Sequence, residues 1–184
     1  MNTSRTAQSP ARRQRGVTLI EASVAMAVAA VLASTAAPGM QDLIDTRRLD
    51  GAATQLATDI QFVRSAAVTR NQPVRLSFRP SAAGSCYVIH TGAADACDCA
   101  AAGPAVCSAD AREIKTVTIA SSDHVTLAAN VGSVLFDPLH GTSSPTGTLR
   151  VIGTRDRAVH HVINIMGRVR SCSPNAAMPG YRAC

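Results

Sequence analysis

The residues with usable chemistry are a block of arginines, six cysteines and one isolated glutamate. Residues 139–184 carry Arg150, Arg155, Arg157, Arg168, Arg170 and Arg182 against Asp156, a net +5, whereas residues 17–138 sum to −3. Lys115 is the only lysine. A guanidinium is planar and suits bidentate contact with phosphate. Arg168 and Arg170 stand two apart, so in an extended segment both point to one side. Gly167 before them frees the backbone to turn at a strand end. Arg182 adds a third cation, and Arg150, Arg155 and Arg157 widen the patch. Such a surface binds nucleic acid through its backbone, independently of sequence and sensitively to salt. Tyr181 beside Arg182 is a candidate for stacking on a base. The competing reading is a solvated basic edge, or arginines that pair with acids on neighbouring subunits.

The cysteines fall at 86, 97, 99, 107, 172 and 184, an even number outside the apolar N-terminal run. In an exported chain this reads as a disulfide set formed in an oxidising compartment. The pair expected is Cys172 with Cys184, closing a loop around Pro174, Pro179 and Gly180; the pairing of the other four stays open. A metal site on Cys86, Cys97, Cys99 and Cys107 is disfavoured, because a lone C-x-C lacks the paired spacing of zinc ribbons. His160 and His161, adjacent in a strand, face opposite sides and do not share one ion, but His140 and this pair lend mild pH sensitivity to anion binding. No nucleophile elbow, phosphate loop or H-E-x-x-H pattern occurs, so no enzyme and no cofactor is expected.

These groups need an export route and a scaffold, and the N-terminus supplies both. Residues 1–16 hold Arg5, Arg12, Arg13 and Arg15 without an acid, and the 21 residues Val17–Ala37 hold one charge, Glu21. At roughly 1.5 Å per residue this run spans a bilayer core, with the basic flank on the cytoplasmic side. A carboxylate inside an apolar helix costs about 2.5–3.5 kcal/mol on insertion scales, so Glu21 calls for a partner. Pro38 lies beyond the run, where it removes a helical hydrogen bond and favours a kink.

Leu49, Ala53, Leu56, Ile60, Val63 and Ala67 then recur at steps of 4 and 3. This predicts one apolar stripe on a helix from about Thr18 to Arg70, with Arg47, Arg48, Asp50, Asp59, Arg64 and Arg70 mostly on other faces. Asn71-Gln72-Pro73 ends it. Alternation at Val74–Arg79 predicts a strand, and further strands are expected at 86–90, 113–119, 124–128, 133–136, 148–152 and 159–166. Residues 91–111 read as a long loop pinned by disulfides. A helix followed by short strands predicts an α+β fold, with antiparallel sheet on the long N-terminal helix.

The segment Gly16-Val17-Thr18-Leu19-Ile20-Glu21 resembles the type IV prepilin motif. The resemblance implies that a prepilin peptidase cuts after Gly16 and methylates Val17, and that Glu21 meets the amino terminus of a neighbouring subunit. Most type IV pilins have Phe where this chain has Val17. The stripe up to Val68, with Val134-Leu135-Phe136, Gly147-Thr148-Leu149 and Ile163–Arg168, is similar to minor pilins and pseudopilins of the GspH/FimT family. The resemblance implies the type IV pilin fold, with a leader over 1–16, a transmembrane and filament-core helix over 17–44 and a periplasmic globular domain over 45–184. It also implies a single-pass protein of a Gram-negative inner membrane, assembled with other pilin subunits into a pilus. Gly167-Arg168-Val169-Arg170 is similar to the GRxR motif of FimT-type pilins, which are associated with DNA capture in natural transformation. The alternatives are a structural minor pilin that primes pilus assembly and a pseudopilin of a type II secretion system.

Overall fold

The computed structural model describes residues 16–81, 84–100, 103–108 and 110–184. The leader arginines Arg5, Arg12, Arg13 and Arg15 lie outside the described residues. The chain divides into two units, one ending at Gln41 and one running from Asp42 to Cys184.

Helix α1 (Leu19–Arg70) continues across Pro38 without interruption. Thr18 caps it: the Glu21 N–H donates to Thr18 Oγ1 at 3.3 Å and Ala22 N–H to the Thr18 carbonyl at 3.1 Å, so Glu21 also places a negative charge at the positive end of the helix. In the first unit Leu19, Ile20, Val24, Met26, Val28, Val31 and Leu32 are all exposed, and the helix is long and apolar enough to cross a membrane. At the other end Asn71 adopts a left-handed φ of 48°. Its N–H reaches the Val68 carbonyl and that of Gln72 the Ala67 carbonyl, the paired bonds of a Schellman cap, with Pro73 preventing continuation.

Among the described residues the second unit contains eleven strands: β1 (Val74–Ser81), β2 (Gly84–His90), β3 (Cys97–Asp98), β4 (Val106–Cys107), β5 (Glu113–Ala120), β6 (Thr126–Ala129), β7 (Ser133–Phe136), β8 (Ser143–Ser144), β9 (Gly147–Ile152), β10 (Ala158–Ile163) and β11 (Val169–Cys172). They form two antiparallel sheets, ordered β5-β2-β1-β7-β8 and β11-β10-β9-β6, and a small β3-β4 ribbon. Two sheets stand where the sequence predicts antiparallel pairing without dividing it. All seven predicted strands are present. The last stops at Ile163 rather than Met166, because a hairpin turns there. Of the four unpredicted strands, β3, β4 and β8 are two residues long, too short for alternation to show, and β11 is the four-residue return of the hairpin.

The stripe residues of α1 are fully buried, from Leu49 at 1% to Ala53, Leu56, Ile60, Val63 and Ala67 at 0% exposure. They share one core with Leu76, Tyr87, Ile89, Val134 and Phe136 of the first sheet and Leu149, Val151, Val159 and Ile163 of the second. Asp59 corrects the sequence reading, since it too is buried. Its carboxylate accepts from Lys115 Nζ at 2.6 Å, the Tyr87 hydroxyl at 2.7 Å and Gln55 Nε2 at 3.0 Å. The only lysine is therefore used to satisfy a buried charge, as burial of a carboxylate requires.

β2 is buried on both sides. Tyr87 and Ile89 face α1, while Cys86 and Val88 pack against Cys97, Cys99, Cys107 and Ala111. Cys86–Cys99 and Cys97–Cys107 are disulfide-bonded. The described residues between 91 and 111 thus cover the outer face of the first sheet.

Candidate functional site

The GRxR segment begins in the β10–β11 hairpin. Gly167 is buried with φ +68°, and a Cβ there would lie 2.5 Å from the Gly141 carbonyl oxygen and 3.3 Å from Arg64 Cδ. Only glycine fits such a turn without displacing backbone. Arg64 Nε donates to the same Gly141 carbonyl at 3.0 Å, tying the hairpin end to α1. Gly167 N–H donates to Asn164 O at 2.8 Å and Asn164 N–H to Arg168 O at 3.1 Å, while Asn164 Oδ1 accepts from Arg168 N–H at 2.9 Å.

This closed turn sets the register of β11, in which Arg170 pairs with Val162, Ser171 with His161 and Cys172 with His160. On the next strand Arg150 pairs with His160 and Thr148 with Val162. Directly paired residues share a face, so Arg150, His160, Val162, Arg170 and Cys172 lie together on the outer face of the second sheet, away from the core. Arg168 is exposed two residues before Arg170, about 7 Å along the chain and on the same side.

Arg182 reaches this face through a separate set of ties. Cys184 is bonded to Cys172, Ser173 N–H donates to the Arg182 carbonyl at 2.8 Å and Cys184 N–H to the Ser173 carbonyl at 3.2 Å. Met178 is buried, and the Tyr181 hydroxyl donates to Asp50 Oδ1 at 3.0 Å. The buried Ser173 joins these parts, its hydroxyl donating to Ala158 O at 2.8 Å and its Oγ accepting Met178 N–H at 3.2 Å. The result is an open groove of about 610 Å³ lined by Arg170, Arg182, His160, Thr148, Val162 and the Cys172–Cys184 bridge. Among the described residues no Asp or Glu side chain lines it. Among the described residues Arg150, Arg168, Arg170 and Arg182 form no ion pair.

Two expectations are corrected. Arg155 and Arg157 do not widen the patch: Arg157 Nη2 lies 2.6 Å and Arg155 Nη1 2.9 Å from Asp42 Oδ1, and Arg157 Nη1 donates to Thr46 Oγ1 at 2.6 Å. They clamp the β9–β10 turn to α1. Tyr181 is held by Asp50 rather than presented for stacking.

The two adjacent histidines separate as alternation predicts. His161 is fully buried toward α1, with Nδ1 2.8 Å from Ser171 Oγ, and burial pushes it down to about 4. His160 is partly exposed in the groove, its pKa lowered by partial burial and then by Arg150.

At the N-terminus Gly16 and Val17 are exposed and precede α1, and Glu21 sits in its first turn. Among the described residues no cluster of His, Cys, Asp and Glu could hold a metal ion.

The long helix, its exposed apolar half and the antiparallel sheets on its second half define a protein of the type IV pilin class. Residues 11–37 match the prokaryotic N-terminal methylation motif. Residues 52–167, more than half of the chain, match the family described as type II transport protein GspH, and the chain belongs to that family. Its fold is shared by the type IV minor pilin FimU of Pseudomonas aeruginosa strain PAO1 in two crystal forms. One gives a TM-score of 0.54 at 18% identity, covering 76% of this chain and 98% of that one. The other gives 0.50 at 18% identity, covering 72% and 98%. No curated protein matches the chain. Family and fold are those of structural pilins and pseudopilins, not of enzymes. They imply other pilin subunits as partners and processing by a prepilin peptidase.

Proposed function

We propose that this chain is a minor type IV pilin that captures extracellular DNA without sequence preference, supporting uptake in natural transformation as well as pilus assembly. Arg168, Arg170 and Arg182 contact backbone phosphates, and Gly167 sets the turn that aims the first two. The observation that carries this reading is that Arg170 and Arg182, from two separately tethered segments, line one groove with no Asp or Glu side chain among its described lining residues. Arginines used only for solubility need no such convergence. Residues 1–16 are a leader cut after Gly16, Val17 becomes the methylated first residue and Glu21 meets a neighbouring subunit's amino terminus. Residues 17–44 anchor the protein once across the inner membrane, and residues 45–184 face the periplasm.

The test is a gel-shift titration of the full chain in non-ionic detergent with random duplex DNA at low and high salt. Binding is expected to weaken steeply with salt and to fall at least tenfold in Arg168→Ala/Arg170→Ala, as loss of two charged contacts implies. No shift at low salt and high protein concentration refutes it. That result favours a type II secretion pseudopilin, the reading supported by the description of the matched family, or a minor pilin that only primes assembly. The processing scheme is checked by mass spectrometry of the mature protein, which must begin at an N-methylated Val17.

A further inference from the structure

His160 lies at the centre of the groove yet belongs to no motif. It pairs across the sheet with Arg150 on one side and Cys172 on the other, and its Nδ1 is 3.9 Å from Cys184 Sγ. It lines the same cleft as Arg170 and Arg182. The charged side chains facing it are cations: Arg150 from β9, Arg170 from β11 and Arg182 from the terminal segment; Cys184, which also lines the cleft, carries the main-chain carboxylate of the last residue, the one anionic group at this cleft among the described residues. The sulfurs of the Cys172–Cys184 bridge do not titrate, and His161 points to the opposite face.

We propose that His160 is a further phosphate contact of this groove, one that engages by taking up a proton as DNA binds. The inference rests on the DNA reading above. Without bound anion, partial burial and then Arg150 oppose a charged imidazole, and its pKa lies below the ordinary value. A phosphate between Arg170 and Arg182 reverses the sign of the local field and offers an acceptor for the ring N–H, both of which favour the imidazolium. By linkage, proton uptake on binding means that affinity rises as pH falls. DNA capture would then be tightest in mildly acidic surroundings.

The experiment compares the full chain in detergent with His160→Gln and His160→Arg, titrating random duplex DNA at fixed ionic strength at pH 7.5 and 5.5. Wild type is expected to bind roughly three- to tenfold more tightly at pH 5.5, the effect of one added charge-assisted contact. His160→Gln should lose that gain, with affinities at pH 7.5 and 5.5 that differ less than about twofold. His160→Arg, a permanent cation, should bind tightly at both pH values. His90, His124, His140 and His161 are common to all three proteins and cancel in the comparison. Equal pH dependence in wild type and His160→Gln overturns this inference while leaving the DNA reading intact. Absence of binding by wild type at both pH values overturns both.

Discussion

Arg79 on β1 and Arg170 on β11 are both strand arginines on the sheet faces turned away from α1, yet one is consumed by the fold and the other is left outward. The first sheet is covered by the disulfide-bonded segment 91–111. Arg79 Nε lies 2.8 Å from Asp98 and its Nη2 donates to Ala94 O at 3.2 Å, while Arg75 donates to Ser133 Oγ at 2.9 Å. Beneath them Ser77 Oγ lies 2.8 Å from His90 Nε2, a buried polar pair. The second sheet has no such cover; its outer face holds Arg150, His160, Val162 and Arg170, with Arg182 brought alongside. The difference teaches that what an arginine does here depends on whether the chain returns over it with an acceptor. Disulfides serve both ends: two bind a cover onto the first sheet, and the third holds a cation beside the second.

The comparison can be broken most strongly at the cover. Replacing Cys86, Cys97, Cys99 and Cys107 together with Ser opens two short loops and should lower unfolding free energy by about 4–6 kcal/mol, read by denaturant titration. DNA binding under native conditions should persist, since the groove lies on the other sheet. A loss of binding in a folded variant would show that the two faces are coupled.

Acid should act next, through the inner rather than the outer histidine. His161, at about 4 in the folded protein against 6.5 ordinarily, keeps its full stabilising contribution above pH 6.5. Between pH 6.5 and 4 the unfolded state takes up the proton first, so stability falls by about 3 kcal/mol on acidification. The slope of unfolding free energy against pH should flatten in His161→Phe and change less in His160→Gln, because His160 is only partly buried.

Charge reversal on the open face sharpens the contrast. Arg170→Glu should weaken DNA binding well beyond tenfold, a change of more than about 1.4 kcal/mol, while moving unfolding free energy by less than about 0.5 kcal/mol, as a surface change does. The smallest effect belongs to Arg79→Ala, which removes a partly exposed pair. It should cost about 0.5–1 kcal/mol of stability and leave the gel shift as it was. If Arg79→Ala weakened DNA binding as much as Arg170→Glu, the division between the two faces would fail.

Much of this was written in local pattern. The α1 stripe, its stop at Asn71-Gln72-Pro73 and the seven longer strands follow from periodicity and turn chemistry, which act between residues near in sequence. So does the placement of His160 and His161 on opposite sides, because alternation fixes faces once a strand exists; Arg168, exposed just ahead of β11, lies outside the strand. Tertiary structure alone decided which cations are paired. Arg155 and Arg157 look the same in sequence as Arg150, but the β9–β10 turn brings them to Asp42, and Tyr181 meets Asp50, over separations that no local period encodes. Asp59 reads as a polar-face residue until Lys115 and Tyr87 arrive from β5 and β2 to satisfy it. The groove itself is of this kind: Arg170 is set by a hairpin and Arg182 by a disulfide and a buried Met178. Their convergence is a product of long-range packing, which depends on where elements meet rather than on what each one is.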